Sequence, residues 1–179
     1  MSTLEEALQR RRDKQAGIIW ASDVSIEQDK TFFLGSGQDA SNLEQLQAHQ
    51  ITHILNVADD VPNFHEIERN ITYCNLKVGD FGTDAGISRV FDKAILFAQR
   101  CQEENGNLLI HCANGSNRSS TITIALFMTL FNMTLKESFC HIKNKHSSTN
   151  PLKDNRIELM NWEKESLKLT ISTMTEDDF

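Results

Sequence analysis

The chain has 179 residues, 39% hydrophobic and 24% charged, which is enough for one sizeable core and short for two. A formal net charge of −7 disfavours non-specific attraction to nucleic acid or anionic membranes, which rests on Lys and Arg neutralising phosphates. A local basic pocket is still permitted, so small anionic groups remain admissible ligands.

In chain order, residues 3–15 have helical spacing through Leu4, Ala7 and Leu8 and carry the basic run Arg10, Arg11, Arg12, so residues 1–27 read as an N-terminal helix or arm. No apolar segment follows the polar stretch from Glu5 to Lys14, and no secretory signal is expected. Residues 31–35 read as a strand ending in the turn Gly35-Ser36-Gly37. Ser41 is a candidate N-cap for a helix that runs through His49. Short β-branched or aliphatic runs predict strands at 52–57, 71–78 and 107–110. Between and after them come helices at 87–103, 118–131, 135–145 and 155–168. The apolar run from Ile122 to Phe131, broken by Thr123 and Thr129, falls short of the roughly 20 residues that span a bilayer. Residues 171–179 read as an acidic flexible tail. Alternating strands and helices predict a three-layer α/β domain, with a mostly parallel central sheet of about five strands flanked by helices.

Cys74, Cys101, Cys112 and Cys140 are widely and irregularly spaced with no CxxC pair, as scattered thiols of a reducing compartment would be; cytoplasm or nucleus is the expected location.

The chemistry concentrates in Leu108-Leu109-Ile110-His111-Cys112-Ala113-Asn114-Gly115-Ser116-Asn117-Arg118-Ser119-Ser120, where an apolar strand enters a tight loop and an apolar helix leaves it. Backbone N–H groups of such a loop, with the helix dipole behind them, form an anion cradle. Gly115 relieves crowding where the chain curls. The same groups favour a thiolate at Cys112. Arg118 can return to the loop mouth and hold two phosphate oxygens through its planar fork. Attack by Cys112 on phosphorus gives a phosphocysteine that water hydrolyses, and the Ser119 hydroxyl can assist departure of the sulfur.

This stretch resembles the His-Cys-x5-Arg-Ser/Thr loop of the protein tyrosine phosphatase superfamily, and the chain is most similar to its small dual-specificity phosphatases. Phe32-Phe33-Leu34-Gly35-Ser36 with Ala40-Ser41-Asn42, Ile51-Thr52-His53-Ile54-Leu55-Asn56-Val57, and Asn150-Pro151 with Leu159, Trp162 and Glu163 follow in the family's order. The resemblance implies that residues 28–170 form the catalytic domain. It also implies activity on phosphotyrosine and on phosphoserine or phosphothreonine, and a phosphorylated protein as substrate, a kinase among the candidates. It further implies a general acid just after the third strand. Asp80 at the strand end matches that placement, and Asp84 is the alternative.

No metal or organic cofactor is needed for this chemistry. His111 reads as structural, fixing the loop. Asn56 either braces the same loop or is a plain strand terminus. Cys74 reads as an inert core thiol, with a disulfide to oxidised Cys112 as the alternative, and Cys101 and Cys140 as packing residues. The uncharged Ala113, Asn114 and Ser116 disfavour a phosphoinositide substrate. Asn117 stands where protein-directed members often have Ser and is also familiar from RNA 5′-triphosphatase relatives, so that reading stays open beside a noncatalytic phosphate-binding scaffold. His146 stands near a position where the family often has Arg. Arg10-Arg11-Arg12 followed by Ile18-Ile19-Trp20 resembles a kinase-docking peptide, against which a solvated helix face is preferred.

Overall fold

The expected strands form, and their register decides what meets at the site. A computed structural model describes residues 20–26, 32–80 and 85–179. The elements are β1 (Ser22–Asp23), β2 (Phe32–Ser36), α1 (Gly37–Ser41), α2 (Leu43–Ala48), β3 (Ile51–Ala58) and β4 (Thr72–Val78). They continue as a 3₁₀ turn (Ile87–Val90) leading into α3 (Phe91–Glu103), β5 (Asn107–Cys112), α4 (Arg118–Leu130), α5 (Leu135–Lys145), α6 (Lys153–Leu167) and a final 3₁₀ turn (Glu176–Asp178). The helix expected over residues 3–15, its arginines, Ile18, Ile19, Thr31 and Asp84 lie outside the described residues.

The sheet order is β1-β2-β5-β3-β4, with β1 antiparallel to β2 and the other neighbours parallel. β5 lies in the middle, which is why Leu108, Leu109 and Ile110 form a continuous apolar run: a central parallel strand is covered on both faces. Alternation along the strands separates two cores. Phe32, Leu34, Leu55, Val57, Leu108 and Ile110 join the larger core with α3 and α4, while Phe33, Ile54 and Leu109 join a smaller one with Ala40 and Leu46 of α1 and α2. α4 is buried on nearly every side from Arg118 to Met128, its polar residues included, so it shows no amphipathic stripe. The five-stranded, mostly parallel, three-layer expectation holds.

Local differences have local causes. Ser41 is not the N-cap. Ser36 caps α1 through a reciprocal box with Asp39, and Asn42 caps α2 by accepting from the Gln45 N–H. The 36–48 stretch is thus two short helices with a cap between them. α6 starts at Lys153, two residues before the expected 155, and ends at Lys168 in the left-handed conformation. Part of the presumed arm belongs to the domain. β1 pairs with Leu34 and Phe33, and Trp20 donates to the Asp39 carbonyl and stacks on His49. A two-residue strand is too short to leave a periodic signal.

The end of the chain has defined contacts where a flexible tail was expected. Met174 is buried, Phe179 packs on Phe139, and the Arg156 guanidinium lies 5.3 Å over the Phe179 ring. Fully buried Glu163 accepts from the Leu135 N–H and from Ser172 and Thr173, tying this segment to the start of α5. Burial pushes the Glu163 carboxyl up, but the donors outweigh it and hold it below the usual range.

Candidate active site

β5 ends at Cys112 and α4 begins at Arg118, so residues 113–117 form a loop at the carboxyl edge of the sheet, where open α/β folds bind ligands. Gly115 has φ +76°, and a Cβ there would stand 2.7 Å from the Gly35 carbonyl oxygen, so only glycine fits. The loop is fastened from several sides. The Gly37 N–H donates to the Ala113 carbonyl (3.1 Å) and the Asn150 N–H to the Ser116 carbonyl (2.7 Å). His146 Nε2 lies 2.8 Å from the Gly115 carbonyl oxygen, and since a carbonyl only accepts, this nitrogen carries the proton. Its Nδ1 lies 2.8 Å from Ser22 Oγ.

Cys112 is buried, and its Sγ accepts from the Gly115 N–H at 3.3 Å and lies 3.1 Å from Ser119 Oγ. To a thiolate here both the Gly115 N–H and the Ser119 hydroxyl can donate. His111 is fully buried at the next-to-last position of β5, and its Nδ1 donates to the Cys112 carbonyl at 3.4 Å.

Burial pushes the His111 imidazole down to about 4, against its backbone hydrogen bond and the charge of Asp39. The folded protein thus refuses a proton that the unfolded chain takes below about 6.5. Stability is fully present above that pH and is lost as pH falls from about 6.5 toward 4, by on the order of 3 kcal/mol. His53, lowered mainly by burial, adds with the same sign. Urea midpoints are expected to fall through this window, and His111→Gln is expected to flatten the fall. Equal slopes for the two proteins would remove His111 from the account.

Arg118 is 1% exposed, unusual for a guanidinium, and is held by carboxylates from neighbouring strand ends. Its Nη1 donates to Asp60 Oδ1 (2.8 Å) and the Val78 carbonyl (2.9 Å), with Asp59 Oδ1 at 3.5 Å. Its Nη2 lies 3.5 Å from Asp80 Oδ2. Burial pulls the guanidinium down, but the Asp60 hydrogen bond and the charges of Cys112, Asp80 and Asp60 more than offset it, so its proton is held more tightly than usual. The same hydrogen bond holds the Asp60 carboxyl below the ordinary range.

Asp80 joins this cluster from just beyond β4, and Asn117 Nδ2 donates to its Oδ1 at 3.1 Å. His111, Cys112, Arg118, Ser119, Asn117 and Asp80 thus meet within one constellation. Asn56 does not brace the loop. It donates to the Val61 carbonyl and Asn63 Oδ1 and orders the segment after β3. Asp59, Asp60 and His146 were missed as site neighbours. The first two sit at the end of the strand beside β5, a signal visible only once the strand order is known.

Cys74 is set apart from Cys112. It pairs with Leu55, which pairs with Ile110, so it lies two strand spacings across and two residues along from Cys112. That is about 12 Å between Cα atoms, beyond the roughly 7 Å limit for a disulfide. Burial also raises the Cys74 thiol. Cys101 is buried with its thiol pushed up to about 12, mainly by that burial, whereas Cys140 is exposed and not a packing residue.

The family model described as dual specificity phosphatase, catalytic domain, matches residues 32–165. Human dual specificity protein phosphatase 9 is 34% identical over 137 residues, which is 76% of this chain and 35% of that protein. The chain spans about a third of the length of that relative. The solved structure of DUSP15 superposes with a TM-score of 0.69 at 30% identity, covering 77% of this chain and 86% of that one. Human DUSP28 gives 0.73 at 21% identity over 83% and 95%, a likeness of fold alone.

Proposed function

The chain belongs to the dual specificity phosphatase catalytic-domain family, and from that premise we propose that it hydrolyses phosphate monoesters on protein side chains, with Cys112 as nucleophile. The observation that carries this reading is the convergence on one loop of a sulfur met by the Gly115 N–H and the Ser119 hydroxyl with a buried guanidinium.

In the first step the Cys112 thiolate attacks phosphorus in line with the ester oxygen; the S–P bond forms as the P–O bond breaks. Arg118 and the loop N–H groups meet the charge on the equatorial oxygens. Asp80 gives its proton to the departing phenolate or alkoxide, so the alcohol leaves neutral. In the second step water attacks the phosphocysteine, Asp80 takes back a proton, and the sulfur leaves as thiolate with Ser119 donating to it. Nη1 of Arg118 is engaged by Asp60 and Val78, which supports binding of phosphate through the Nε and Nη2 edge.

A phosphorylated protein is the substrate class that the family supports, and acceptance of both phosphotyrosine and phosphothreonine is the finer part of the proposal. Phosphate release from paired phosphotyrosine and phosphothreonine peptides, with chelator present, tests it. Chelator-insensitive release from both is the expected result. Release from phosphotyrosine alone would overturn the dual specificity, and release from neither would leave a loop that binds phosphate without turning it over.

A further inference from the structure

The Asn117 carboxamide joins three parts of the molecule. Its Oδ1 accepts from the Leu152 N–H and from Asn155 Nδ2, both at 2.8 Å, at the start of α6. Its Nδ2 donates to Asp80 Oδ1 at 3.1 Å, beyond the end of β4. Side-chain amides can be turned over without changing their shape, but here the choice is forced. A backbone N–H only donates, so the atom facing Leu152 is the oxygen and the nitrogen is aimed at Asp80.

That orientation determines which Asp80 oxygen holds a proton. In a protonated carboxyl the carbonyl oxygen is the better acceptor, so an N–H donor at one oxygen favours the O–H on the other. Asp80 Oδ1 is therefore the acceptor, and the proton of the acid form is directed to Oδ2. Oδ2 is the oxygen 3.5 Å from Arg118 Nη2, on the side where the guanidinium would meet phosphate. Without the Asn117 N–H Asp80 loses the contact that holds Oδ1 in place, and misplacement by about 1 Å can cost about a hundredfold in rate.

We infer that Asn117 is a positioning residue for the general acid: its amide N–H holds Asp80 Oδ1 and biases the acid's proton to Oδ2, on the leaving-group side. The inference rests on the reading of this site as a phosphatase with Asp80 as acid. The bracing of α6 and the orienting of Asp80 use different atoms of one amide, so they can be separated. Asn117→Asp keeps an oxygen for Leu152 and Asn155 and replaces only the donor to Asp80, and a proton shared by two carboxylates would sit between them instead of on Oδ2.

The test compares two aryl phosphates, one with a good leaving group (4-nitrophenyl phosphate) and one with a poor one (phenyl phosphate). Asn117→Ala and Asn117→Asp are expected to lower kcat about tenfold on the poor leaving group and less than about twofold on the good one, since only the former depends strongly on a proton. KM should stay unchanged, and Asn117→Ala should add no further loss in an Asp80→Asn background. Equal losses on both esters, a change mainly in KM, or additive losses with Asp80→Asn would overturn the role. If Asn117→Ala does not fold, Asn117→Asp decides, and wild-type rates from it would overturn the role. Turnover abolished by Cys112→Ser with the wrong Asn117 pattern removes this inference alone. Turnover that survives Cys112→Ser, or no wild-type turnover on either ester, removes the phosphatase reading and this inference with it.

Discussion

Cys112→Ser is expected to lower phosphate release from a phosphotyrosine peptide by at least about ten-thousandfold while the protein still binds that peptide. A serine hydroxyl in the same place holds its proton far more tightly than a thiol, and one N–H donor and one neighbouring hydroxyl do not ionise it. The loop itself should persist. Its fastenings run through Gly115, Ala113 and Ser116 backbone groups to His146, Gly37 and Asn150, and none uses the Cys112 side chain. Binding without turnover is therefore the signature, read by calorimetry with the peptide beside an assay for released phosphate. A variant that turned over at a tenth of the wild-type rate would exclude a phosphocysteine route. One that lost binding together with turnover would show that the sulfur holds the loop together.

Arg118→Lys is the second large effect expected, a loss of about a hundred- to a thousandfold in kcat/KM despite conserved charge. In the native site Nη1 is committed to Asp60 and the Val78 carbonyl, while Nε has no protein acceptor among the described residues. One end of the fork anchors the residue and the other edge is left for phosphate. A lysine has a single nitrogen and cannot do both. Asp60 and Asp59 sit close enough to capture the ammonium, leaving the phosphate without its bidentate partner. Because the guanidinium meets phosphate in the ground state and more strongly in the transition state, KM should rise and kcat should fall. Kinetics on a phosphotyrosine peptide, with inhibition by vanadate as a measure of loop binding, would check this. Retention of activity within about threefold would mean that Arg118 is a structural ion-pair partner of Asp60 and not the phosphate clamp.

Much of this was legible in the chain because it is local. The strand, loop and helix from Leu108 to Ser120 are contiguous, and the spacing of Cys112, Gly115, Arg118 and Ser119 is set by backbone geometry over about two turns of chain. Strand positions were equally readable, since four of the five strands carry enough apolar residues to announce themselves. What failed was short or distributed. The Ser36 and Asn42 caps lie in a stretch with several competing cap residues, β1 has two residues, and the closing segment folds back through Glu163, nine positions before Ser172.

Asn56 and Cys74 show the same limit from the other side. Both had a plausible link to the loop when only residue type and order were known. In the fold the Asn56 side chain bonds to the segment after β3, and the register sets Cys74 two strands from Cys112. Neither outcome is a property of the residue. Each follows from which strand lies beside which.

The sequence alone determined the α/β alternation, the loop that concentrates thiol and guanidinium, and an aspartate at the end of β4. Only the tertiary structure decided what surrounds them. Placing β3 beside β5 brings Asp59 and Asp60 to Arg118 from nearly sixty positions away, placing α6 under the loop locks the Asn117 amide, and the end of α5 delivers His146 to Gly115. The physical reason is that a chain encodes its near neighbours through backbone geometry, whereas contacts across a sheet are fixed by strand order and register, which the burial of both faces selects for the domain as a whole.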